Sequence, residues 1–333
     1  MGFSRQLSSA LSSYIAGNRL RGLRRFPLVL MLEPLFRCNL ECAGCGRIRE
    51  FRDELRATLT ADECLQSAEE CPAPVVSITG GEPLIHPEIE QIVAGLIKMK
   101  KFVHLCTNGT LLEKSLDKFQ PGPYFSFVLH LDAMADSHDS FAGKPGVFDT
   151  AIAAMRAAKR RGFSLLVNHT IYRWTSVEES GRLFGLLGEV GIDGLMVSPA
   201  FDYREVDDPV FMPKDEANAK FRAIDSQPKA FKYYNTPVYR EFLAGRQDLS
   251  CTPWSTPTRN PLGWKRPCYL ITDGHCTSFR ELMNDTDWQS YGTGKDPRCA
   301  SCMVHCGYEA SALDASFRSP RNLWLTARWG LSR

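Results

Sequence analysis

Six short apolar segments alternate with amphipathic helical patterns along the first 225 residues of the chain. The apolar segments, each of the length and composition of a buried strand, are 27–33, 74–79, 102–106, 125–131, 163–170 and 193–199. The helical patterns are 60–70, 87–100, 111–119, 147–161, 176–190 and 214–224. Strands that alternate with helices form parallel sheets with right-handed crossovers. The sequence therefore predicts an α/β fold, an open sheet or a barrel, with functional residues at the carboxyl ends of the strands.

Composition and charge exclude several classes of protein. The 40 basic and 38 acidic residues leave a net charge of +2, so we expect no nucleic-acid partner. No segment supplies about 18 uninterrupted apolar residues, and the first residues show no compact apolar region followed by a small-residue cleavage site, so we expect neither a membrane span nor secretion. We therefore expect a cytoplasmic protein, in which clustered cysteines bind metal more often than they form disulfides.

Three of the 12 cysteines follow the first apolar segment at C-x3-C-x2-C spacing: Cys38, Cys42 and Cys45. A structural zinc site and a fully ligated 4Fe–4S cluster both need four ligands. Three thiolates leave one iron of a cluster open, as a catalytic site requires. A zinc site completed by a distant histidine or cysteine is the alternative.

This spacing after a first strand resembles the radical S-adenosylmethionine (SAM) superfamily. The resemblance implies a partial (β/α)6 barrel in which Cys38, Cys42 and Cys45 hold a 4Fe–4S cluster and S-adenosylmethionine chelates the fourth iron. It extends to the stretch Gly80, Gly81, Glu82 and Pro83 after the second strand. There the glycines let the backbone approach a ligand, and Glu82 offers an acceptor for the ammonium group of the cofactor.

Polar residues near the ends of the later strands are predicted to complete the cofactor site. They are Thr107, Asn108, His130, Asp132, Asn168 and Ser198. Asn168 and Ser198 interrupt otherwise apolar strands, and a buried polar group needs a hydrogen-bond partner. An ordinary role in turns or in the core is the alternative for each.

A second module, 226–316, follows the barrel at 27–225 and is predicted to be rich in loops. Cys299, Cys302 and Cys306 lie close together there, with Cys251, Cys268 and Cys276 upstream. We expect a second 4Fe–4S cluster on Cys268, Cys299, Cys302 and Cys306, or a zinc ion on the same ligands or with His305.

Longer stretches resemble the adenosylhopane synthase family of hopanoid biosynthesis. They are 27–48, 73–84, 100–112, 239–254, 260–270 and 288–309. The resemblance implies a transferase that adds a 5′-deoxyadenosyl radical to the terminal alkene of the hopene diploptene, with an electron donor such as ferredoxin or flavodoxin. It also implies that Cys106 donates the quenching hydrogen atom, with a buried packing role as the alternative.

The sequences of three loops differ from the motifs that are usual in that family: 78–84, 106–112 and 141–148. A related radical enzyme that acts on another alkene or abstracts hydrogen from another substrate therefore remains an alternative. A non-catalytic zinc-binding scaffold is a third hypothesis.

Both ends of the chain, 1–26 and 317–333, combine arginines with apolar residues at helical spacing. Such segments are suited to an anionic membrane surface, and peripheral contact at the inner membrane face is one interpretation. The other is that both segments cap the open ends of the barrel.

Overall fold

The computed structural model describes residues 4–206 and 210–331 as a mixed α/β fold. The strands are β1 Val29–Leu32, β2 Val75–Ile78, β3 Phe102–Thr107, β4 Phe125–His130, β5 Ser164–Ile171, β6 Gly194–Pro199, β7 Thr258–Asn260, β8 Gly263–Pro267 and β9 Thr272–Cys276. The helices up to β6 are α1 Arg5–Leu20, α2 Gly46–Glu50, α3 Ala61–Glu70, α4 Ile89–Lys98, α5 Leu112–Ser115, α6 Ala135–Ala142, α7 Val147–Arg160 and α8 Val177–Val190. The later helices are α9 Lys214–Asp225, α10 Pro237–Leu243, α11 Phe279–Asp285, α12 His305–Ala315 and α13 Pro320–Leu331.

All six predicted strands are present, with ends within two residues of those predicted. The predicted helices are present as well, although the pattern at 111–119 forms only the short α5 followed by a 3₁₀ turn. Helix α3 begins at the predicted capping box. The Glu63 amide donates to Thr60 Oγ1 over 3.2 Å, and the Thr60 amide donates to Glu63 Oε2 over 2.7 Å.

The nine strands form one sheet in the order β6-β5-β4-β3-β2-β1-β7-β8-β9. Strands β1 to β6 run parallel, each beside its predecessor, as the predicted β–α repeat requires. Their inner faces line a cavity and their outer faces pack under the helices. In β3, for example, His104 and Cys106 line the cavity, whereas Val103 and Leu105 are buried in the core.

The C-terminal module extends this sheet, which the sequence analysis did not predict. Strand β7 pairs in parallel with β1. Strand β8 pairs antiparallel with β7, and β9 pairs antiparallel with β8 at the edge of the sheet. These strands are short and rich in polar residues, so they carry no alternating apolar signal. The module therefore lies directly beside the strand that leads into the first cysteines.

Helix α1 covers the amino ends of the strands. Its Leu7 and Leu11 are buried against Val75 and Phe102, which begin β2 and β3. The capping interpretation therefore describes α1. Residues 1–3 and 332–333 of the two terminal segments, including Arg333, lie outside the described residues.

None of the helices within the described ranges is long and apolar enough to cross a membrane.

Candidate active site

A cavity of about 430 Å³ runs along the inner face of the parallel strands. Among the residues that line it are the predicted Cys38, Cys42, Cys45, Gly80, Gly81, Glu82, Cys106, Thr107, Asn108, His130, Asp132, Asn168 and Ser198. Pro83 differs, because it begins a buried 3₁₀ turn beside the cavity and supports the loop. The fold thus brings together predicted residues from six different strand ends.

The three cysteines of the first loop face this cavity together. Burial raises the pKa of the Cys38 thiol to about 11 and that of Cys42 to about 12, and the neighbouring thiols add to both shifts. Buried thiolates that repel one another need a nearby positive charge, which a metal centre supplies. Considering only residues 4–206 and 210–331, no three His, Cys, Asp or Glu side chains lie close enough to hold a single metal ion. In an iron–sulfur cluster each thiolate binds a different iron atom, so the cysteines need not lie as close together as the ligands of a single ion.

A buried ion pair fixes the end of this cysteine loop to the sheet. Arg47 donates to both carboxylate oxygens of Glu33, from Nε over 3.0 Å and from Nη2 over 2.8 Å. The Arg47 Nη1 atom donates to Glu50 and to the carbonyl oxygen of Tyr269. The loop is therefore tied both to the end of β1 and to the C-terminal module.

The Gly80–Gly81 turn packs tightly against the chain that leads into the first cysteine. A Cβ on Gly81 would lie 1.9 Å from the carbonyl oxygen of Arg37, and one on Gly80 would lie 2.4 Å from that of Leu35. Gly80 also has a φ of +108°, in the region that favours glycine. Both positions therefore require glycine on steric grounds.

The Glu82 carboxylate holds the ends of β2 and β3 together. It accepts hydrogen bonds from the Leu84 amide over 3.0 Å, from Thr107 Oγ1 over 2.9 Å and from the Asn108 amide over 2.9 Å. Burial raises its pKa to about 7 in spite of these donors. Glu82 thus organises the loop as well as lining the cavity.

Asn168 presents an unused acceptor to the cavity. Its Oδ1 atom is buried and has no hydrogen-bond partner, so it suits a donor group on a ligand. By contrast, Asp132 is occupied within the chain, since its Oδ1 accepts from the Thr170 amide over 2.7 Å. The residues present therefore fit a cluster with bound S-adenosylmethionine: the unpaired acceptor of Asn168, the two glycines of the turn and the three cysteine thiols that face the same cavity.

Cys106 lies in the same cavity, on the inner face of β3. Its Sγ is 3.5 Å from Ser77 Oγ. Burial raises the pKa of this thiol to about 11, so it remains protonated at neutral pH.

The deeper part of the cavity contains polar groups that the sequence analysis missed. His104 Nε2 lies 3.2 Å from Tyr234 Oη, and burial lowers the His104 pKa to about 4. Glu309 accepts from Asn235 Nδ2 over 2.8 Å and from Thr236 Oγ1 over 2.9 Å, and burial raises its pKa to about 7. These residues come from segments far apart in the sequence, so only the fold brings them together.

A second, smaller pocket in the C-terminal module is lined by five cysteines. They are the predicted Cys268, Cys299, Cys302 and Cys306, together with Cys251. Backbone amides donate to the sulfurs of Cys268, Cys299 and Cys302. Cys251, which lies 17 residues before Cys268, was not among the four predicted ligands. Cys276 instead packs in the main core.

Comparison with known proteins divides the chain into two matched regions. Residues 32–179 match the Radical SAM superfamily, and residues 195–326 match a domain of unknown function, DUF3463. The AdoMet-dependent heme synthase of Methanosarcina barkeri is 29% identical over 50% of this chain and 48% of its own length. The subtilosin biosynthesis protein AlbA of Bacillus subtilis is 26% identical over 75% of this chain and 57% of its own length.

The chain thus spans about half the length of these curated relatives, and neither name describes a hopanoid enzyme. Among solved structures, Streptococcus suis SuiB superimposes with a TM-score of 0.65 at 17% identity, covering 93% of this chain and 78% of SuiB. This likeness confirms the predicted fold class.

Radical SAM domains use a 4Fe–4S cluster and S-adenosylmethionine, in agreement with the predicted cofactors and with the cavity residues that fit them. The chain therefore contains, at residues 32–179, a domain of the Radical SAM superfamily.

Proposed function

We propose that the protein is a radical SAM transferase that adds a 5′-deoxyadenosyl group to the terminal alkene of a hopene, diploptene, to form adenosylhopane. The observation that supports it most is the buried, protonated thiol of Cys106 in the same cavity as Cys38, Cys42 and Cys45. Radical addition leaves a carbon radical, and a protonated thiol in the same cavity can quench it by donating a hydrogen atom.

Each half of the cavity supports one part of this reaction. We assign Cys38, Cys42 and Cys45 to the cluster, and Gly80, Gly81, Asn108, Asn168 and Ser198 to the walls around S-adenosylmethionine. When bound, the cluster and S-adenosylmethionine would supply a 5′-deoxyadenosyl radical, with one electron of the cluster consumed and methionine released. Beside the polar groups described above, the deeper walls include apolar side chains that suit a hydrocarbon: Leu7, Leu11, Leu28, Val29, Val75 and Leu313.

The role of Cys106 follows from bond strengths. Addition at the terminal carbon of the alkene forms the new C–C bond and leaves a tertiary carbon radical. An S–H bond is weaker than a tertiary C–H bond, so transfer of the hydrogen atom from Cys106 is favourable. The reaction balances with two electrons from a ferredoxin or flavodoxin: the first is consumed when the adenosyl radical forms and methionine leaves, and the second, with one proton, restores the Cys106 thiol.

The test is anaerobic turnover of the reconstituted protein with reductant, S-adenosylmethionine and diploptene, followed by mass spectrometry. We expect a product heavier than diploptene by one adenosyl group and one hydrogen atom. Cys106→Ala should remove this quenched product, whereas the matched Cys64→Ala, at a buried cysteine of α3, should retain it. An equal yield from the Cys106 variant would contradict the assigned role.

A second candidate, favoured by Glu309, is a related enzyme whose substrate carries a polar group or gives up hydrogen. A carboxyl group in the deeper cavity is unnecessary for a pure hydrocarbon, and burying it costs free energy. Product analysis separates the two candidates. Hydrogen abstraction releases free 5′-deoxyadenosine, whereas addition retains the adenosyl group in the product.

We also propose a second 4Fe–4S cluster in the five-cysteine pocket. Amide donors to Cys268, Cys299 and Cys302 support these three as ligands, since such donors stabilise thiolates. The fourth ligand is one of two adjacent thiols, Cys306 or Cys251. A Cβ on Gly307 would lie 2.8 Å from Cys251 Sγ, which shows how close Cys251 comes to the chain at Cys306.

Iron counting after anaerobic reconstitution tests both sites. We expect about eight irons per chain for two clusters, and about four when Cys38, Cys42 and Cys45 are all changed to Ala. Loss of all iron from that variant would contradict the second cluster. Zinc in place of iron in the unmodified protein would favour a non-catalytic scaffold. The iron contents of Cys251→Ala and Cys306→Ala should also be compared. The variant that loses iron identifies the fourth ligand.

A further inference from the structure

The two terminal segments are basic and carry no acidic residue. Residues 1–25 contain five arginines and residues 317–333 contain four, with no aspartate or glutamate in either stretch. Arg19, Arg21, Arg24 and Arg25 are all exposed near the end of α1. The net charge of the whole chain is only +2, so positive charge is concentrated here.

The same segments expose large apolar side chains. Seven such side chains are exposed in the described part of the chain, and five of them lie in these segments: Leu20, Leu23, Phe317, Leu323 and Trp324. Leu20 is 90% exposed and Phe317 is 66% exposed. Isolated exposed apolar residues are ordinary, but this concentration needs an explanation.

Asp314 of α12 brings the two segments together. It forms ion pairs with Arg19 at the end of α1 and with Arg318 just before α13. Leu20 and Phe317 are the immediate neighbours of these two arginines, so they lie on the same part of the molecular surface. We refer to the five exposed apolar side chains with the arginines of residues 19–25 and 317–328 as the basic apolar surface.

The helices behind this surface also form the apolar end of the inner cavity. Leu7 and Leu11 of α1 line that cavity together with Ala310 and Leu313 of α12. Leu313 directly precedes Asp314, which joins the two segments at the surface. Leu20 lies nine residues beyond Leu11 on α1, about 14 Å along the helix, and Phe317 lies four residues beyond Leu313. The outer apolar residues thus continue, along the same two segments, from those that line the cavity.

We propose that the basic apolar surface docks on an anionic lipid bilayer and that an apolar substrate passes between α1 and α12 into the cavity. The docking depends only on this surface, whereas the entry of substrate rests on the proposed function. Arginines of a single sign suit anionic headgroups, and neighbouring leucine, phenylalanine and tryptophan suit the boundary with the acyl chains. Three of the arginines already pair with acidic side chains, Arg19 and Arg318 with Asp314 and Arg321 with Glu241. The exposed Arg21 and Arg24 are therefore the ones that we expect to meet anionic headgroups.

Flotation with vesicles tests the docking. We expect the full chain to float with vesicles made of equal parts phosphatidylcholine and phosphatidylglycerol, and to stay behind with phosphatidylcholine alone. Changing Arg21 and Arg24 to Gln should weaken binding about fivefold for each arginine removed. Equal flotation with both kinds of vesicle, or with neither, would overturn the proposal.

A variant of the apolar residues provides the matched comparison. The triple variant Leu20→Ser, Leu23→Ser and Trp324→Ser should lose at least about tenfold in binding to the mixed vesicles. Leu262→Ser is the control, because Leu262 is 43% exposed but lies at the β7–β8 turn, and it should bind like the parent. All these side chains are exposed, so thermal unfolding should be unchanged. Equal binding of the triple variant and the control would refute the assigned surface.

Delivery of the substrate is tested separately from docking and from the proposed function. The triple variant should turn over diploptene in detergent as the parent does, and lose turnover only when diploptene is supplied in vesicles. If the parent floats but converts diploptene in neither form, the proposed function fails and the docking stands. If both proteins convert vesicle-bound diploptene equally, entry through this surface is wrong.

Discussion

The ion pair between Arg47 and Glu33 should determine whether the first cysteine loop keeps its shape. Only 6% of the Arg47 side chain and none of the Glu33 side chain is exposed, so water does not screen the pair. Burial alone would disfavour the charged arginine, but Glu33 is the largest influence holding the pKa of Arg47 well above its usual value. The two charges thus depend on each other.

Replacing Arg47 with Met leaves the Glu33 carboxylate buried without its partner. Breaking a buried pair in this way costs about 3–5 kcal/mol. In a chain of 333 residues that corresponds to a fall in melting temperature of about 4–7 °C. We also expect reduced iron at the first site after reconstitution, because Arg47 lies two residues after Cys45.

A double-mutant cycle separates the pair from the residues themselves. Replacing Glu33 with Gln together with Arg47→Met removes both charges, so the double variant should be less destabilised than the sum of the single variants. The coupling free energy should reach about 1–3 kcal/mol, measured by thermal and denaturant unfolding. Strictly additive effects would refute the argument that the two charges stabilise each other.

Three further predictions follow from the geometry of the cavity and the second pocket. Gly81→Ala should abolish S-adenosylmethionine binding in equilibrium dialysis, because its Cβ would lie 1.9 Å from a backbone carbonyl oxygen, whereas Gly17→Ala, with open space around it, should bind normally. The rate of alkylation of Cys106, followed by mass spectrometry, should rise with pH with a midpoint near pH 11, because burial raises the pKa of the Cys106 thiol to about 11 and keeps it protonated below that pH. A midpoint near pH 9 would contradict this. If Cys251 is the fourth ligand, Gly307→Ala should lower the iron content from about eight to about four per chain, because its Cβ would press on Cys251 Sγ at 2.8 Å. An unchanged count of about eight would argue against Cys251 as a ligand.

The parallel part of the fold was predictable because its signals are local. Each strand from β1 to β6 is a short apolar run, and the intervening helices show clear periodicity and caps such as Thr60 with Glu63. The cysteine loop and the Gly80–Gly81 turn were predictable for the same reason, since their chemistry lies within a few consecutive residues. The carboxyl-end rule then placed Asn168 and Ser198 in one cavity with them.

The rest depended on contacts between distant parts of the chain. Strands β7 to β9 are too short and polar to stand out, and they form because β1 offers an open edge. Cys251 joins the other four cysteines only after the module folds back on itself. Likewise, no local pattern indicates that Glu309 of α12 would line the barrel cavity.

The central claim is that Cys38, Cys42 and Cys45 hold a cluster whose fourth iron binds S-adenosylmethionine. Electron–nuclear double resonance of the reduced protein tests it most directly, using S-adenosylmethionine labelled in its amino nitrogen and carboxylate oxygens. We predict hyperfine coupling of both labels to the cluster in the unmodified protein, and its loss when the three cysteines are changed to Ala. A reduced cluster on these cysteines that shows no coupling to either label would contradict the account.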